Sequence, residues 1–195
     1  MAERAHPDLP GFKDRWFGLK KSVYKKNLYK RYRFCNKYIE GKTILDVPCG
    51  TGWGTSLLKK AKEIYAVDNS PEAIEYAQNN FKRKNIHYQL GDMSSLQFDD
   101  HFFDAVICLE GFEHVHKDVG IKFLDEAKRV LKRGGLLIMT VPVLTDGKHS
   151  GNPHHLYEPS IEELRKTLSD RFHFMYFETV VGPESKIVYF VGNTK

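Results

Sequence analysis

From residue 44 onward the chain alternates short apolar runs with polar breaks that contain glycine or proline. Ile44-Leu45-Asp46, Glu63–Asp68, Ile86–Leu90 and Phe103–Leu109 read as buried strands, and Gly134-Gly135 leads into a fifth, Leu136–Pro142. Helical signals lie between them. Ser56-Leu57-Leu58 reads as a helix start after a glycine-containing loop. Asn69-Ser70-Pro71-Glu72 opens another helix, with Ser70 as N-cap, Pro71 at the first helical position and an acid in the first turn. Ala73, Ile74, Ala77 and Phe81 give that helix an apolar stripe, and Leu28, Tyr32, Cys35 and Ile39 do the same for a helix over Leu19–Ile39. A helix from Pro159 to about Leu168 precedes the strand Phe172–Val181, the turn Gly182-Pro183-Glu184-Ser185 and a last strand, Lys186–Val191. Four turn residues are too few for a parallel crossover, so these two strands pair as an antiparallel hairpin. The pattern predicts an α/β chain with a mostly parallel sheet and a reversed last strand.

Composition narrows the class. With 195 residues, 41% of them hydrophobic, the chain can bury one sizeable core. No apolar run approaches the roughly 20 residues of a membrane span, and Met1–Pro7 has no apolar segment of the secretory kind. Three cysteines, at 35, 49 and 108, show neither metal nor redox spacing, and an odd number argues against a disulfide framework, so the expectation is reduced cytoplasm. Residues 1–18 read as a loosely docked arm. Charge is concentrated just after it. Between Lys20 and Arg33 stand seven cations and no acid, so the remainder of this +5 chain sums to −2 (5 − 7). Tyr24, Tyr29 and Tyr32 are interleaved there, either packed on the sheet or open to stacking on bases. A block of this charge suggests an anionic partner or substrate, with nucleic acid, a phosphorylated sugar carrier and an acidic membrane surface all compatible. The expected division is an arm and basic cap helix over 1–40 and a globular domain over 41–195.

The chemistry concentrates in Asp46-Val47-Pro48-Cys49-Gly50-Thr51-Gly52-Trp53-Gly54. A strand that delivers a glycine-rich turn brings bare backbone against a nucleotide-like ligand. The dinucleotide fingerprint would need glycine at the sixth position from Gly50, where Thr55 stands, and the phosphate loop would need Gly-Lys-Ser/Thr, which is absent. Asp68 lies 18 residues after Gly50 (68 − 50), the spacing of an acid that holds a ribose diol. Asp92 and Glu110 follow the third and fourth strands, so each of the first four strands ends in or runs into an acid. Ligands of open α/β sheets sit at those carboxyl ends.

Over about residues 40–195 the combination resembles the class I S-adenosylmethionine (SAM) methyltransferases, with Pro48 where the usual Asp-x-Gly-x-Gly-x-Gly has its first glycine. The resemblance implies a Rossmann-like seven-stranded sheet, mostly parallel with an antiparallel last strand and helices on both faces. It implies that Asp46, Pro48, Cys49, Gly50, Thr51 and Gly52 hold the methionyl end of SAM. Asp68, with Asn69 beside it, would take the ribose hydroxyls, Asp92 and Met93 the adenine, and Leu109 the floor below the sulfonium. Glu110-Gly111-Phe112-Glu113-His114 would face the methyl-transfer point, with His114 or Glu110 as general base. The same segment, with His155, resembles the Glu-x-x-Glu-His…His set of small-RNA 2′-O- and quinone O-methyltransferases, which implies a divalent metal held by Glu110, Glu113, His114 and His155.

The implied activity is methyl transfer to a hydroxyl of a small molecule, sugar or lipid-linked intermediate. An RNA 2′-O-methyltransferase using Lys20–Arg33, and a non-catalytic SAM-binding protein, are the alternatives. Leu-Glu-Gly-Phe stands where amine-directed members carry Asn/Asp-Pro-Pro-aromatic, which disfavours a base-amine acceptor. Acceptor recognition falls to residues 1–40, to a polar lid over 143–158 and to any second subunit, and the sequence does not set the oligomeric state.

Overall fold

The computed structural model describes residues 18–181 and 186–195, with the side chains of residues 18–25 outside the description. The predicted arm and the 182–185 turn therefore lie almost wholly outside the described residues. Helix α1 (Gly18–Cys35) leads into strand β1 (Thr43–Asp46), β2 (Glu63–Asp68), helix α2 (Pro71–Asn80), β3 (Ile86–Leu90) and β4 (Phe103–Leu109). Helix α3 (Lys117–Val130), β5 (Leu131–Val143), helix α4 (Ile161–Ser169), β6 (Phe172–Val181) and β7 (Lys186–Thr194) complete the chain. The sheet order is β3-β2-β1-β4-β5-β7-β6. All pairs are parallel except those of β7, which runs antiparallel to both β5 and β6. This is the predicted sheet, including its reversed last strand.

Successive residues of the central strands point to opposite faces, and each face is covered. Leu45, Val106 and Leu137 pack with Phe123, Leu124 and Ala127 of α3 and with Leu164 and Leu168 of α4. Ile44, Ile107 and Ile138 pack with Leu28, Tyr32 and Cys35 of α1 and with Ile74 of α2. Helices thus lie on both faces. No helix among the described residues is long and apolar enough to cross a membrane.

Three local expectations change. No α-helix starts at Ser56: a single 3-10 turn spans Thr55–Leu57. The carbonyls that would accept the next helical bonds are taken from outside, Ser56 O by Arg83 Nη1 at 3.0 Å and Leu57 O by Asn36 Nδ2 at 2.9 Å. Helix α1 stops at Cys35 rather than Ile39, because Lys37 N and Tyr38 N turn back to Phe34 O and Cys35 O and tighten the chain. Helix α3 was not predicted; its buried stripe is Gly120, Phe123, Leu124, Ala127 and Val130.

Arg129 fixes α3 to the segment that enters β4. Its Nε bonds Glu126 Oε1, Nη1 bonds Phe98 O and Asp100 Oδ1, and Nη2 bonds Leu96 O and Glu126 Oε2, each at 2.8 Å. All five N–H groups of the guanidinium are used. An ammonium keeps the charge but has three donors and no planar fork. Arg129→Lys is expected to lower stability by roughly 1–3 kcal/mol in urea denaturation; an unchanged midpoint would mean that this hub adds nothing to the fold.

Candidate active site

Strands β1 and β4 are neighbours in the sheet but not in the chain, so their following segments leave in opposite directions. A crevice opens at their carboxyl ends, where open α/β sheets take ligands. Asp46 and Asp68 end β1 and β2, and Glu110 follows β4.

The loop after β1 is built around two carboxylates. Asp68 Oδ2 accepts from Gly50 N at 2.8 Å and Oδ1 from Ser70 N at 3.0 Å, so one side chain joins the glycine loop to the N-cap of α2. Asp46 is fully buried, and its Oδ2 accepts from Thr55 Oγ1 at 2.6 Å. Burial pushes its carboxyl up to about 7, against the Thr55 bond that lowers it, with the charge of Asp68 raising it further. Asp46 Oδ1 and Thr51 Oγ1 have no hydrogen-bond partner among the described residues. Gly52 has φ +77°, and a Cβ there would meet Ala77 Cβ at 2.7 Å and Tyr88 Oη at 2.8 Å. The Tyr32 ring of α1 lies so close over Gly54 that a Cβ there would stand 1.9 Å from it. The Val47–Pro48 peptide is cis, and the Pro48 ring rests against Gly111.

The loop after β4 is anchored differently. Glu110 adopts φ 53°, a left-handed conformation for a residue with a side chain. Its Oε1 accepts from Thr140 Oγ1 at 2.9 Å, and its Oε2 pairs with Arg31 Nη2 at 3.0 Å. Arg31 is itself 4% exposed, so α1 carries a buried guanidinium into the crevice.

Beyond Glu110 a 3-10 turn, Phe112–His114, positions Glu113 and His114. Leu156 N and Tyr157 N donate to the Glu113 main-chain oxygen at 2.8 and 3.2 Å, and this draws the 144–160 loop over the turn. Glu113, His114 and His155 each then offer a ligand atom within 4.8 Å of the others. The Glu113 carboxylate is fully buried, and neither oxygen has a hydrogen-bond partner among the described residues. Burial first, and the Glu110 charge second, hold its carboxyl well above the usual range.

Both imidazoles are oriented through Nδ1. His114 Nδ1 lies 3.0 Å from His154 O. A carbonyl only accepts, so the proton sits on Nδ1 and Nε2 carries the lone pair of the neutral ring. His155 Nδ1 bonds Glu158 Oε1. Burial pushes the Glu158 carboxyl up, but bonds from Ser150 and His155 outweigh it and keep it below the ordinary range, so it serves as the acceptor. A carboxylate or carbonyl on the far nitrogen is how proteins orient imidazole ligands toward a metal.

Of the other expected cofactor residues, Leu109 and Cys49 are buried at this end of the sheet and Met93 is 7% exposed. Asn69 is exposed beside Asp68, and Asp92 spends Oδ1 on Ser94 N and Ser94 Oγ at 2.7 and 2.8 Å. Glu110 stands outside the cluster of Glu113, His114 and His155, because Arg31 and Thr140 engage its two oxygens. Sequence reasoning gave no role to Thr55, Arg31, Thr140 or Glu158. Thr55 was legible only as the residue that breaks the dinucleotide fingerprint, and Arg31 was one of seven cations in a block.

Residues 45–139 match a family model described as a methyltransferase domain. A protein of Mycobacterium ulcerans (strain Agy99) named as a probable phthiotriol/phenolphthiotriol dimycocerosates methyltransferase is 34% identical over 112 residues, 56% of this chain and 42% of that one. One of Mycobacterium tuberculosis (strain CDC 1551 / Oshkosh), named as a probable S-adenosylmethionine-dependent methyltransferase, is 28% identical over 173 residues, 86% of this chain and 58% of that one. The chain thus spans about half the length of these curated relatives. A solved structure from Pyrococcus horikoshii OT3 shares the fold with a TM-score of 0.74 at 21% identity, over 92% of this chain and 100% of that one.

The buried Glu113 carboxyl makes stability depend on pH. A carboxyl raised in the folded state contributes stability that is complete below its unfolded value, about 4.3, and is lost as pH rises through the folded one. Glu113→Met has no such loss. In chelator-treated protein its urea midpoint is expected to gain on wild type between pH 5 and pH 8, by ~1–3 kcal/mol at the upper end. Parallel curves for the two proteins would mean that the carboxylate is solvated in solution.

Proposed function

We propose that this chain is a class I SAM-dependent methyltransferase, that it binds SAM at the carboxyl ends of β1, β2 and β3, and that it methylates a hydroxyl of a small molecule, sugar or lipid-linked acceptor. The observation that carries the SAM reading is the buried pair of polar atoms beside the glycine loop, Asp46 Oδ1 and Thr51 Oγ1, which find no hydrogen-bond partner among the described residues. An acid held near 7 by burial returns to its charged form when an ammonium approaches, which suits the methionyl end of SAM. Each oxygen of Asp68 already accepts one backbone N–H and has a second lone pair for a ribose hydroxyl. Asp92 and Met93 suit the adenine, and Leu109 the wall below the methyl group. In this reading residues 41–195 form the catalytic domain and 1–40 its cap.

SAM supplies an electrophilic methyl group, and the chain supplies the position of the acceptor. Holding two reactants in near-attack geometry is worth as much as ~7–11 kcal/mol. Glu113, His114 and His155 fit a divalent ion: one buried carboxylate with no hydrogen-bond partner among the described residues, and two imidazoles with Nδ1 already engaged. Such an ion lowers the pKa of a bound hydroxyl. Glu110, held by Arg31 and Thr140, keeps the turn in place. Without a metal, His114 Nε2 is the candidate general base. A hydroxyl acceptor agrees with the relative named for a triol. A cytoplasmic location agrees with Cys35, Cys49 and Cys108, all buried and unbridged. RNA as acceptor is the second reading, and the exposed Lys26, Lys30 and Arg33 of α1 favour it.

Calorimetry with SAM and S-adenosylhomocysteine tests the first step: both are expected to bind, and Asp68→Ala to weaken them roughly 10–100-fold. No binding by wild type would overturn the whole reading. Turnover is then screened over hydroxyl acceptors with and without divalent metal. Removing the orienting carboxylate with Glu158→Gln is expected to cost ~10–100-fold in metal affinity. If chelation leaves turnover intact while His114→Ala abolishes it, His114 is a base and the metal assignment is wrong.

A further inference from the structure

Helix α1 has two opposite faces. Leu28, Tyr32 and Cys35 are buried on the sheet, and Arg31 reaches Glu110 between them. Lys26, Lys30, Arg33 and, just beyond the helix, Lys37 stand at spacings of 4, 3 and 4, and all are exposed. At about 100° per residue this row lies diametrically opposite the buried one. It is not paired along the helix: from Lys20 to Tyr38 there is no acid.

The row borders a cleft of about 450 Å³ between α1 and the 3-10 turn behind the glycine loop. Tyr29, Arg33 and Lys37 form one wall, and Leu57, Lys59 and Lys60 the other. Asn36 closes the floor. Its Nδ2 donates to Leu57 O at 2.9 Å and to Tyr32 O at 3.1 Å, and its Oδ1 accepts from Lys60 N at 3.2 Å. The walls are therefore tied to each other, and the cleft has a set width. Four cations line it, and one of them, Lys60, pairs with Glu40 at 3.1 Å. Tyr29 is 47% exposed on the rim, which leaves much of its ring open to contact.

We propose that this cleft binds a nucleotide unit, its phosphate on Arg33, Lys37 and Lys59 and its ring on Tyr29 and Leu57. Clustered cations supply the phosphate contacts and an open aromatic face supplies stacking, the two parts of single-strand recognition. The volume suits one nucleotide rather than a surface. A flat anionic membrane would contact the outer row but not the concave floor. Lys26 and Lys30 continue the row away from the cleft and suit the next phosphate of a strand. The site lies on the opposite side of α1 from the crevice and does not depend on methyl transfer.

Anisotropy with a labelled single-stranded 10-mer oligoribonucleotide, calorimetry with UDP and flotation with phosphatidylserine vesicles test this on the full chain without SAM. The oligonucleotide is expected to bind with a log–log salt slope near −1.4, from about 0.7 per phosphate over two phosphates, one on Arg33, Lys37 and Lys59 and the next on Lys26 and Lys30. Lys37→Gln/Lys59→Gln is expected to weaken binding at least tenfold and to lower the slope magnitude by up to about 0.7, the share of the one phosphate they hold. Tyr29→Ala is expected to weaken it about 5–100-fold at an unchanged slope, which a purely electrostatic surface would not do. Displacement of the oligonucleotide by UDP assigns the site to free nucleotides, and its retention assigns it to strands; either result supports the proposal. Unaltered S-adenosylhomocysteine binding or, should that be absent in wild type, an unaltered urea midpoint shows that the variants fold. Binding of neither nucleotide probe, vesicle binding alone, or affinity indifferent to Tyr29 and to the lysines would each overturn it.

Discussion

Four carboxylates, those of Asp46, Asp68, Glu110 and Glu113, gather at one end of the parallel sheet, and three of them are almost fully buried. Desolvation and neighbouring charge raise the Asp46 and Glu113 carboxyls, and the surrounding structure is arranged around the four acids. Asp68 is met by two backbone N–H groups, and Asp46 by one threonine hydroxyl. Glu110 is met by a guanidinium from α1 and a hydroxyl from β5. The glycine loop, the start of α2 and the seat of α1 are each set by the acid they relieve. Among the described residues, Asp46 Oδ1 and both Glu113 carboxyl oxygens are left without a hydrogen bond.

How much of this could be read from the sequence differs by interaction range. Strands and their order of appearance follow from apolar runs, and the reversed last strand follows from a four-residue turn that no crossover fits. The acids at strand ends were equally visible. What they bond was not. Asp68 is expected to face a ligand, yet both its oxygens also serve the backbone: Oδ1 takes the local Ser70 N, and Oδ2 takes Gly50 N from a loop 18 residues away. Ser56-Leu57-Leu58 had a local signal for a helix, and Asn36 and Arg83, distant in sequence, outbid it for the carbonyls. Arg31 lies on the predicted apolar stripe, three residues after Leu28 and four before Cys35, but its acid partner, Glu110, is 79 residues away (110 − 31) and no local pattern names it.

Helix α1 links cation and core in one element. Its inner face supplies Tyr32 to the glycine loop and Arg31 to Glu110, while its outer face carries charge into a second cleft. A uniformly basic helix would be ejected by the core, and a uniformly apolar one would be masked from ionic partners. The seven-charge block therefore has two uses, and only one of its described cations, Arg31, is buried.

Glu113 takes Leu156 N and Tyr157 N on its main-chain oxygen, and its carboxyl lies within 4.8 Å of a ring nitrogen of His114 and of His155. The seat of the loop and the donor set thus share one Cα. If Leu156 and Tyr157 part from that oxygen, His155 leaves with them, so the loop cannot open while the three donors stay assembled. The seat of the loop and the spacing of the three donors therefore stand or fall together.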